Sequence, residues 1–169
     1  TIHLARQVGE VVVISRDTGV RRVAKQAGAW ALVELGQGLN QAIQQAAEWV
    51  MAQGGQSMLV LPGDLPLLQS ADLQIMVDLG RSSPALVIAP CHRRDGTNAL
   101  LLNPPNLIEF AFGLGSFAQH QQAGWAKGVN PKIYDSTTVA LDLDLPGDLE
   151  IWSQRSDFTD FAQHISCKP

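Results

Sequence analysis

The chain has 169 residues, 46% of them hydrophobic and only 17% charged, the makeup of one globular domain rather than of a disordered segment. Its formal net charge of -4 provides no basic surface able to neutralise a run of nucleic-acid phosphates, so polymeric nucleic acid is not an expected partner. The longest apolar runs fall far short of the roughly 20 residues a membrane helix needs, and two cysteines are too few for a disulfide framework, which makes a cytoplasmic setting the expectation.

From the N-terminus, His3, Leu4 and Val8 have the spacing of a helix end, which Gly9 breaks. The β-branched run at residues 11–14 predicts a buried strand. Asp17 and Thr18 can cap a helix over residues 18–27, with Gly28 marking its end. A short strand at residues 30–33 follows, then a loop through Gly36 and Gly38 and a helix over residues 39–51 terminated by Gly54 and Gly55. Residues 58–61 read as a buried strand and residues 62–66 as a turn, after which Ser70 caps a helix with Asp72 in its first turn. Residues 85–89 form another buried strand. Continuously apolar strands that alternate with helices point to an α/β doubly wound fold, its mainly parallel sheet covered on both faces. After Asp95 and Gly96 the pattern changes: residues 97–102 are strand-like, but the loop before them has no room for a crossover helix, so an antiparallel insertion is expected. Ser116 caps a helix that runs to Ala126, residues 132–134 and 139–143 look extended, and Pro146 opens a final helix.

Ligands of open α/β sheets collect beyond the carboxyl ends of parallel strands. Asp64, in Leu61-Pro62-Gly63-Asp64-Leu65-Pro66-Leu67-Leu68, occupies such a position, although a turn aspartate or helix cap would read the same way. In Leu141-Asp142-Leu143-Asp144-Leu145 the alternation puts both carboxylates on one face of a strand. They mark either a solvated edge strand or a magnesium site, since hard divalent cations take carboxylate oxygens. Arg93 and Arg94, before Asp95-Gly96-Thr97-Asn98, could meet phosphate or carboxylate oxygens or could simply be solvated. Phe112-Gly113-Leu114-Gly115-Ser116 offers backbone N–H groups and a hydroxyl at a helix start, an anion cradle or an ordinary capped helix. His120 shares a helix face with Ser116 and serves either the site or the structure. Cys91 and His92 have no further cysteine near them in sequence, which argues against zinc, and neither GxGxxG nor GxxxxGK[ST] occurs.

Taken in order, Pro62-Gly63-Asp64-Leu65-Pro66-Leu67-Leu68, Asp95-Gly96-Thr97-Asn98-Ala99-Leu100, Phe112-Gly113 with Ser116 and His120, and Asp142-Leu143-Asp144-Leu145-Pro146-Gly147-Asp148-Leu149 resemble the phospholactate guanylyltransferase family. In bacteria the same family is described as phosphoenolpyruvate guanylyltransferase, and the resemblance spans residues 11–152. It implies a three-layer Rossmann-like fold of the nucleotide-diphospho-sugar transferase type, mixed but mainly parallel, with residues 1–169 as a single nucleotidyltransferase domain. The implied reaction moves GMP from GTP to 2-phospho-L-lactate or phosphoenolpyruvate and releases pyrophosphate, as a step towards coenzyme F420. The implied partners are GTP and a small phosphorylated carboxylic acid, and a homodimer is one option for the oligomeric state.

By the same matching Asp64, Asp142 and Asp144 would be the catalytic residues and hold Mg2+, while Thr97, Gly113 and Ser116 would hold the acid's carboxylate end, to which Arg94 is added from its loop position alone. Ser15, Asp17 and Asn40 match positions near the guanine. In such enzymes a first strand and its basic phosphate-holding loop precede the matching region, and the sequence at hand does not carry them. The rival readings are another nucleotidyltransferase of the fold, of molybdopterin guanylyltransferase-like or sugar-phosphate type, and a non-catalytic nucleotide-binding module.

Overall fold

The computed structural model describes residues 1–141. A short helix α1 (Ile2–Ala5) leads into strand β1 (Val12–Ser15), helix α2 (Thr18–Gln26), strand β2 (Trp30–Val33) and helix α3 (Leu39–Ala52). Strand β3 (Met58–Val60), helix α4 (Ser70–Leu79), strands β4 (Ala85–Pro90) and β5 (Thr97–Asn103), helix α5 (Ser116–Ala126) and strand β6 (Lys132–Ile133) follow. The final helix expected at Pro146 lies outside the described residues.

Strands β1 and β2 pair in parallel as one small sheet, and a second sheet has the order β3-β5-β4-β6. In that second sheet β5 is antiparallel to both β3 and β4, whereas β4 and β6 are parallel. Thus β3, β4 and β6 share one direction and β5 alone opposes them. The reversal that the short connection at Asp95 and Gly96 requires is therefore built into the middle of the sheet.

The core forms around β4 and β5, because alternate residues of a strand face opposite sides. Val87, Ala89, Ala99 and Leu101 pack with Leu73 and Met76 of α4, and with Leu65 and Leu68 from the turn before it. On the other face Leu86, Ile88, Leu100 and Leu102 pack with Phe117 of α5, Ile108 and Val129. Both faces of the strands are thus covered, giving three layers, and each fully buried aliphatic side chain contributes roughly 1.5–3 kcal/mol.

The sequence predicts buried strands at residues 11–14 and 58–61, but β1 and β3 are only half-buried, and among the described residues each has a neighbouring strand on one side alone. Asp17 caps α2 as expected, its carboxylate accepting from the Val20 N–H at 2.9 Å. Helix α4 departs from expectation in its cap. Ser70 is its first residue, Gln69 is the N-cap, and the Asp72 carboxylate reaches back to accept from the Gln69 N–H at 2.9 Å. Of the extended segment expected at residues 139–143, residues 142 and 143 lie outside the described residues, and Val139 and Ala140 are in a turn rather than a strand. A turn closed by the Ala140 N–H donating to the Ser136 carbonyl at 2.9 Å occupies the segment, because the Ser136 hydroxyl captures the Thr138 N–H (3.2 Å) and Val139 N–H (3.4 Å).

Candidate active site

Because β5 runs against β3 and β4, its first residue Thr97 lies at the carboxyl ends of those two strands. The register makes this concrete: Thr97 pairs with Pro90, the last residue of β4, while Leu100 pairs with Val60, the last residue of β3. The chain leaving β3 therefore runs along the start of β5 towards Thr97. Asp64 sits in this exit, exposed, while its neighbour Leu65 is buried in the core and pins the turn. Among the described residues the Asp64 carboxylate makes no hydrogen bond or ion pair.

The segment leading to Asp142 reaches the same rim. The Asn98 side-chain amide donates to the Val139 carbonyl at 2.9 Å, and the His92 N–H, just past β4, donates to the Ala140 carbonyl at 2.9 Å. Leu141 is buried. Asp142 and Asp144 themselves lie outside the described residues, and among the described residues no group of three or more histidine, cysteine or carboxylate side chains is arranged to hold a metal ion.

Behind this segment is a carboxylate whose role the sequence does not reveal. Asp72 accepts hydrogen bonds from the Tyr134 hydroxyl (2.8 Å), the Ser136 hydroxyl (2.9 Å) and the Thr138 hydroxyl (2.7 Å to one oxygen, 2.8 Å to the other). Burial, the largest influence, pushes its carboxyl up, but the bonds from Thr138, the Gln69 N–H, Tyr134 and Ser136 together outweigh it and hold the group below its usual 3.8. One carboxylate thus fastens the post-β6 segment to the start of α4.

Thr97, Gly113 and Ser116 come together around the start of α5. Gly115 (φ 72°) and Gly113 (φ 127°) take left-handed conformations that favour glycine, and a Cβ at Gly113 would meet nothing within 4 Å, so the loop is open. The Ser116 N–H closes it onto the Gly113 carbonyl at 3.0 Å. The Ser116 hydroxyl accepts the Thr97 N–H at 2.9 Å, which joins the helix start to the strand start. His120, fully buried one turn along α5, places Nδ1 3.0 Å from Thr97 Oγ1 and accepts the Ala111 N–H on Nε2 at 3.1 Å. Its burial pushes the imidazole pKa down to about 4, so the ring is neutral near pH 7.

The remaining candidates are placed differently. The Asn40 amide is engaged with the cradle, since its Oδ1 accepts the Phe112 N–H (2.8 Å) and its Nδ2 donates to the Phe112 carbonyl (3.1 Å). Arg94 is exposed, pairs with Asp135, and lays its guanidinium over the Phe117 ring at 5.2 Å. Beside it, the Cys91 thiol donates to Asp95 at 3.0 Å, and this bond, the largest influence on Asp95, holds its carboxyl below the usual range. Ser15 ends β1 of the small sheet and Asp17 caps α2 just beyond it, and the Ser15 hydroxyl accepts the Asp17 N–H at 3.1 Å. They connect to the cradle through α3: Ser15 pairs with Val33, the Val33 carbonyl accepts from Gln45 of α3 at 2.8 Å, and Asn40 lies in the first turn of that helix. A surface depression of about 510 Å³, lined by Arg6, Glu10 and Trp30 among others, lies at the amino ends of β1 and β2, away from Ser15 and Asp17.

The mixed sheet between two helical layers, with polar groups gathered at the carboxyl ends of its strands, is the nucleotide-diphospho-sugar transferase type of fold. The chain is similar to a protein of known structure from Desulfovibrio desulfuricans G20 assigned as such a transferase, with a TM-score of 0.71 at 12% identity over 97% of this chain and 78% of that one. Identity at that level speaks for the fold alone. The chain belongs to the CofC-like guanylyl transferase family, whose model matches residues 1–158. Curated relatives include the phosphoenolpyruvate guanylyltransferases of Rubrobacter xylanophilus (45% identical over 93 residues, 55% of this chain and 45% of the relative) and Sphaerobacter thermophilus (34% over 149 residues, 88% and 72%). The 3-phospho-D-glycerate guanylyltransferase of Colwellia psychrerythraea is 33% identical over 96 residues, 57% of this chain and 45% of the relative. The match to the Rubrobacter protein thus spans less than half of that relative's length. No helix among the described residues is long and apolar enough to cross a membrane.

Proposed function

We propose that this chain carries the acid-binding and metal-binding face of a cytoplasmic guanylyltransferase that moves GMP from GTP to a small phosphorylated carboxylic acid. The observation that carries the reading is one arrangement: Thr97 and Ser116, both buried and linked by the Thr97 N–H donating to the Ser116 hydroxyl, stand beside the open Gly113 loop at the end of the sheet that also bears the exposed Asp64. Hydroxyls at a glycine-lined helix start suit an anion.

In the reaction an oxygen of the acid's phosphate attacks the α-phosphorus of GTP, the bond from that phosphorus to the oxygen bridging to the β-phosphorus breaks, and pyrophosphate leaves with the electron pair. The attacking oxygen is already ionised near neutral pH, so no protein base is required; the obstacle is repulsion between anions. Thr97, Gly113 and Ser116 hold the acid's carboxylate end and orient its phosphate. Asp64 offers an exposed hard-oxygen donor with no hydrogen bond or ion pair among the described residues, which leaves its oxygens available to a magnesium ion. Asp64, Asp142 and Asp144 would hold magnesium, which when bound offsets the charge of the phosphates. Ser15, Asp17 and Asn40 belong to the nucleotide side of the reading, and Arg94 to the acid side.

Incubation with GTP, magnesium and, separately, phosphoenolpyruvate, 2-phospho-L-lactate or 3-phospho-D-glycerate, with pyrophosphate as the readout, tests the reading and names the acceptor. Asp64→Asn should lower turnover by about 100-fold or more, while stability stays within about 0.5 kcal/mol because the side chain is exposed and makes no bond among the described residues. Pyrophosphate release from none of the three acids, or near-normal turnover by the variant, would sink the assignment.

A further inference from the structure

We infer that His120 is a positioning residue, which turns the hydroxyl hydrogen of Thr97 away from the protein so that it can donate to the anionic acid. The inference rests on the acid pocket proposed above. It follows from the direction of each hydrogen bond. The Ala111 N–H can only donate, and it donates to His120 Nε2 at 3.1 Å, so Nε2 presents its lone pair. A neutral imidazole with a bare Nε2 carries its proton on Nδ1. Nδ1 lies 3.0 Å from Thr97 Oγ1, and that contact is therefore N–H to hydroxyl oxygen, with threonine as the acceptor. The threonine's own hydrogen must point elsewhere, and no described residue accepts it.

Ser116 is in the same condition. Its oxygen accepts the Thr97 N–H at 2.9 Å, and its hydrogen has no acceptor among the described residues. Thr97 is 8% exposed and Ser116 1%, and a buried donor left without a partner is costly. Two such donors side by side, next to the space left open at Gly113, call for an acceptor with more than one oxygen, as a carboxylate has. The other tautomer would offer Thr97 a lone pair instead, and the hydroxyl would spend its hydrogen on the ring. What prevents this is the Ala111 N–H, held by the neighbouring Phe112, whose backbone Asn40 grips at both N–H and carbonyl and whose ring meets His120 edge-on at 5.0 Å.

Two substitutions separate this role from a structural one. In His120→Asn the amide nitrogen can occupy the place of Nδ1 and keep donating to Thr97, whereas in His120→Gln the amide oxygen can occupy the place of Nε2 and keep only the bond from Ala111. His120→Gln should raise KM for the acid by about 10- to 100-fold, the worth of one hydrogen bond to a charged group, with KM for GTP unchanged. His120→Asn should stay within about threefold of the parent on the same scale. Long-range 1H–15N spectra of the full chain should show the proton of His120 on Nδ1. A proton on Nε2, or equal rises in KM for the two variants, would overturn the positioning role while leaving guanylyl transfer standing. A parent chain that releases no pyrophosphate with any of the three acids would instead remove the pocket reading, and this inference with it.

Discussion

Replacing Asp72 by alanine should unfasten the segment that follows β6. The carboxylate is 5% exposed and accepts from the Gln69 N–H at 2.9 Å, the Tyr134 hydroxyl at 2.8 Å, the Ser136 hydroxyl at 2.9 Å and the Thr138 hydroxyl at 2.7 Å. A hydrogen bond to a charged group contributes roughly 1.5–3 kcal/mol, but four bonds to one carboxylate are not independent, and the half-buried hydroxyls can turn to water once it is gone. The expected loss is therefore about 3–5 kcal/mol, a large fraction of the roughly 5–15 kcal/mol that stabilises a whole domain. Asp72→Asn keeps one acceptor oxygen and should lose about half as much. Urea unfolding at pH 7 measures both. The acid limb provides a second reading. Because the folded carboxyl lies below its usual 3.8, the contribution is fully present above that value and disappears as pH falls through the depressed folded value. Asp72→Ala should flatten that limb. A loss under about 1 kcal/mol at pH 7, with the acid limb unchanged, would refute the claim that this carboxylate holds the segment.

Three further outcomes follow from the geometry. Asn40→Ala removes the bonds of 2.8 Å and 3.1 Å to Phe112 and should cost about 1–2 kcal/mol in urea unfolding while raising KM for the acid; an unchanged KM would detach Asn40 from the cradle. His120, with a folded pKa pushed from 6.5 down to about 4 by burial, takes up a proton far less readily folded than unfolded, so stability should decline as pH falls below 6.5 and level off below about 4. The full drop corresponds to about 3 kcal/mol, and His120→Gln should abolish it in urea titrations at pH 7 and 4.5. Gly124→Ala would place a Cβ 2.6 Å from Leu86 Cδ2 and 3.0 Å from Pro131 Cγ, and overpacking of about 1–3 kcal/mol should outweigh the gain in helix propensity, lowering the melting temperature.

Local patterns reveal the elements well where the physics is local. The apolar run of β4 and the carboxylate cap at Asp17 are readable from the residues themselves, and the reversal of β5 follows from the shortness of the loop before it. What local patterns miss is set by neighbours far along the chain. Val12 to Ile14 look like any buried parallel strand, but among the described residues β1 has a neighbouring strand on one side alone and is half-buried. Val139 and Ala140 look extended in sequence until the Ser136 hydroxyl competes for the backbone N–H groups of Thr138 and Val139 and wins a turn. Asp72 reads as a helix-start acid because its other three partners lie 62 to 66 residues away.

The proposed acid cradle shows why the same limit applies to function. Motif order suffices to nominate Thr97, Gly113 and Ser116, since each brings a hydroxyl or an open backbone on its own. Nothing in their spacing says which hydroxyl hydrogens are free, and that depends on the residues behind them. Here it is decided by Asn40, whose amide grips Phe112 across 72 residues, and by His120, whose lone pair must face the Ala111 N–H. Asn40 matches a position near the base in sequence, and in the fold one of its amide hydrogens and one of its lone pairs are engaged on Phe112, at the start of the Gly113 loop. The start of α3, reached from β2, is therefore also a wall support for the pocket at the start of α5. If Thr97 holds the acid as proposed, a change at Asn40 should reach it through Phe112, the adjoining Ala111 N–H, the imidazole and the Thr97 hydroxyl.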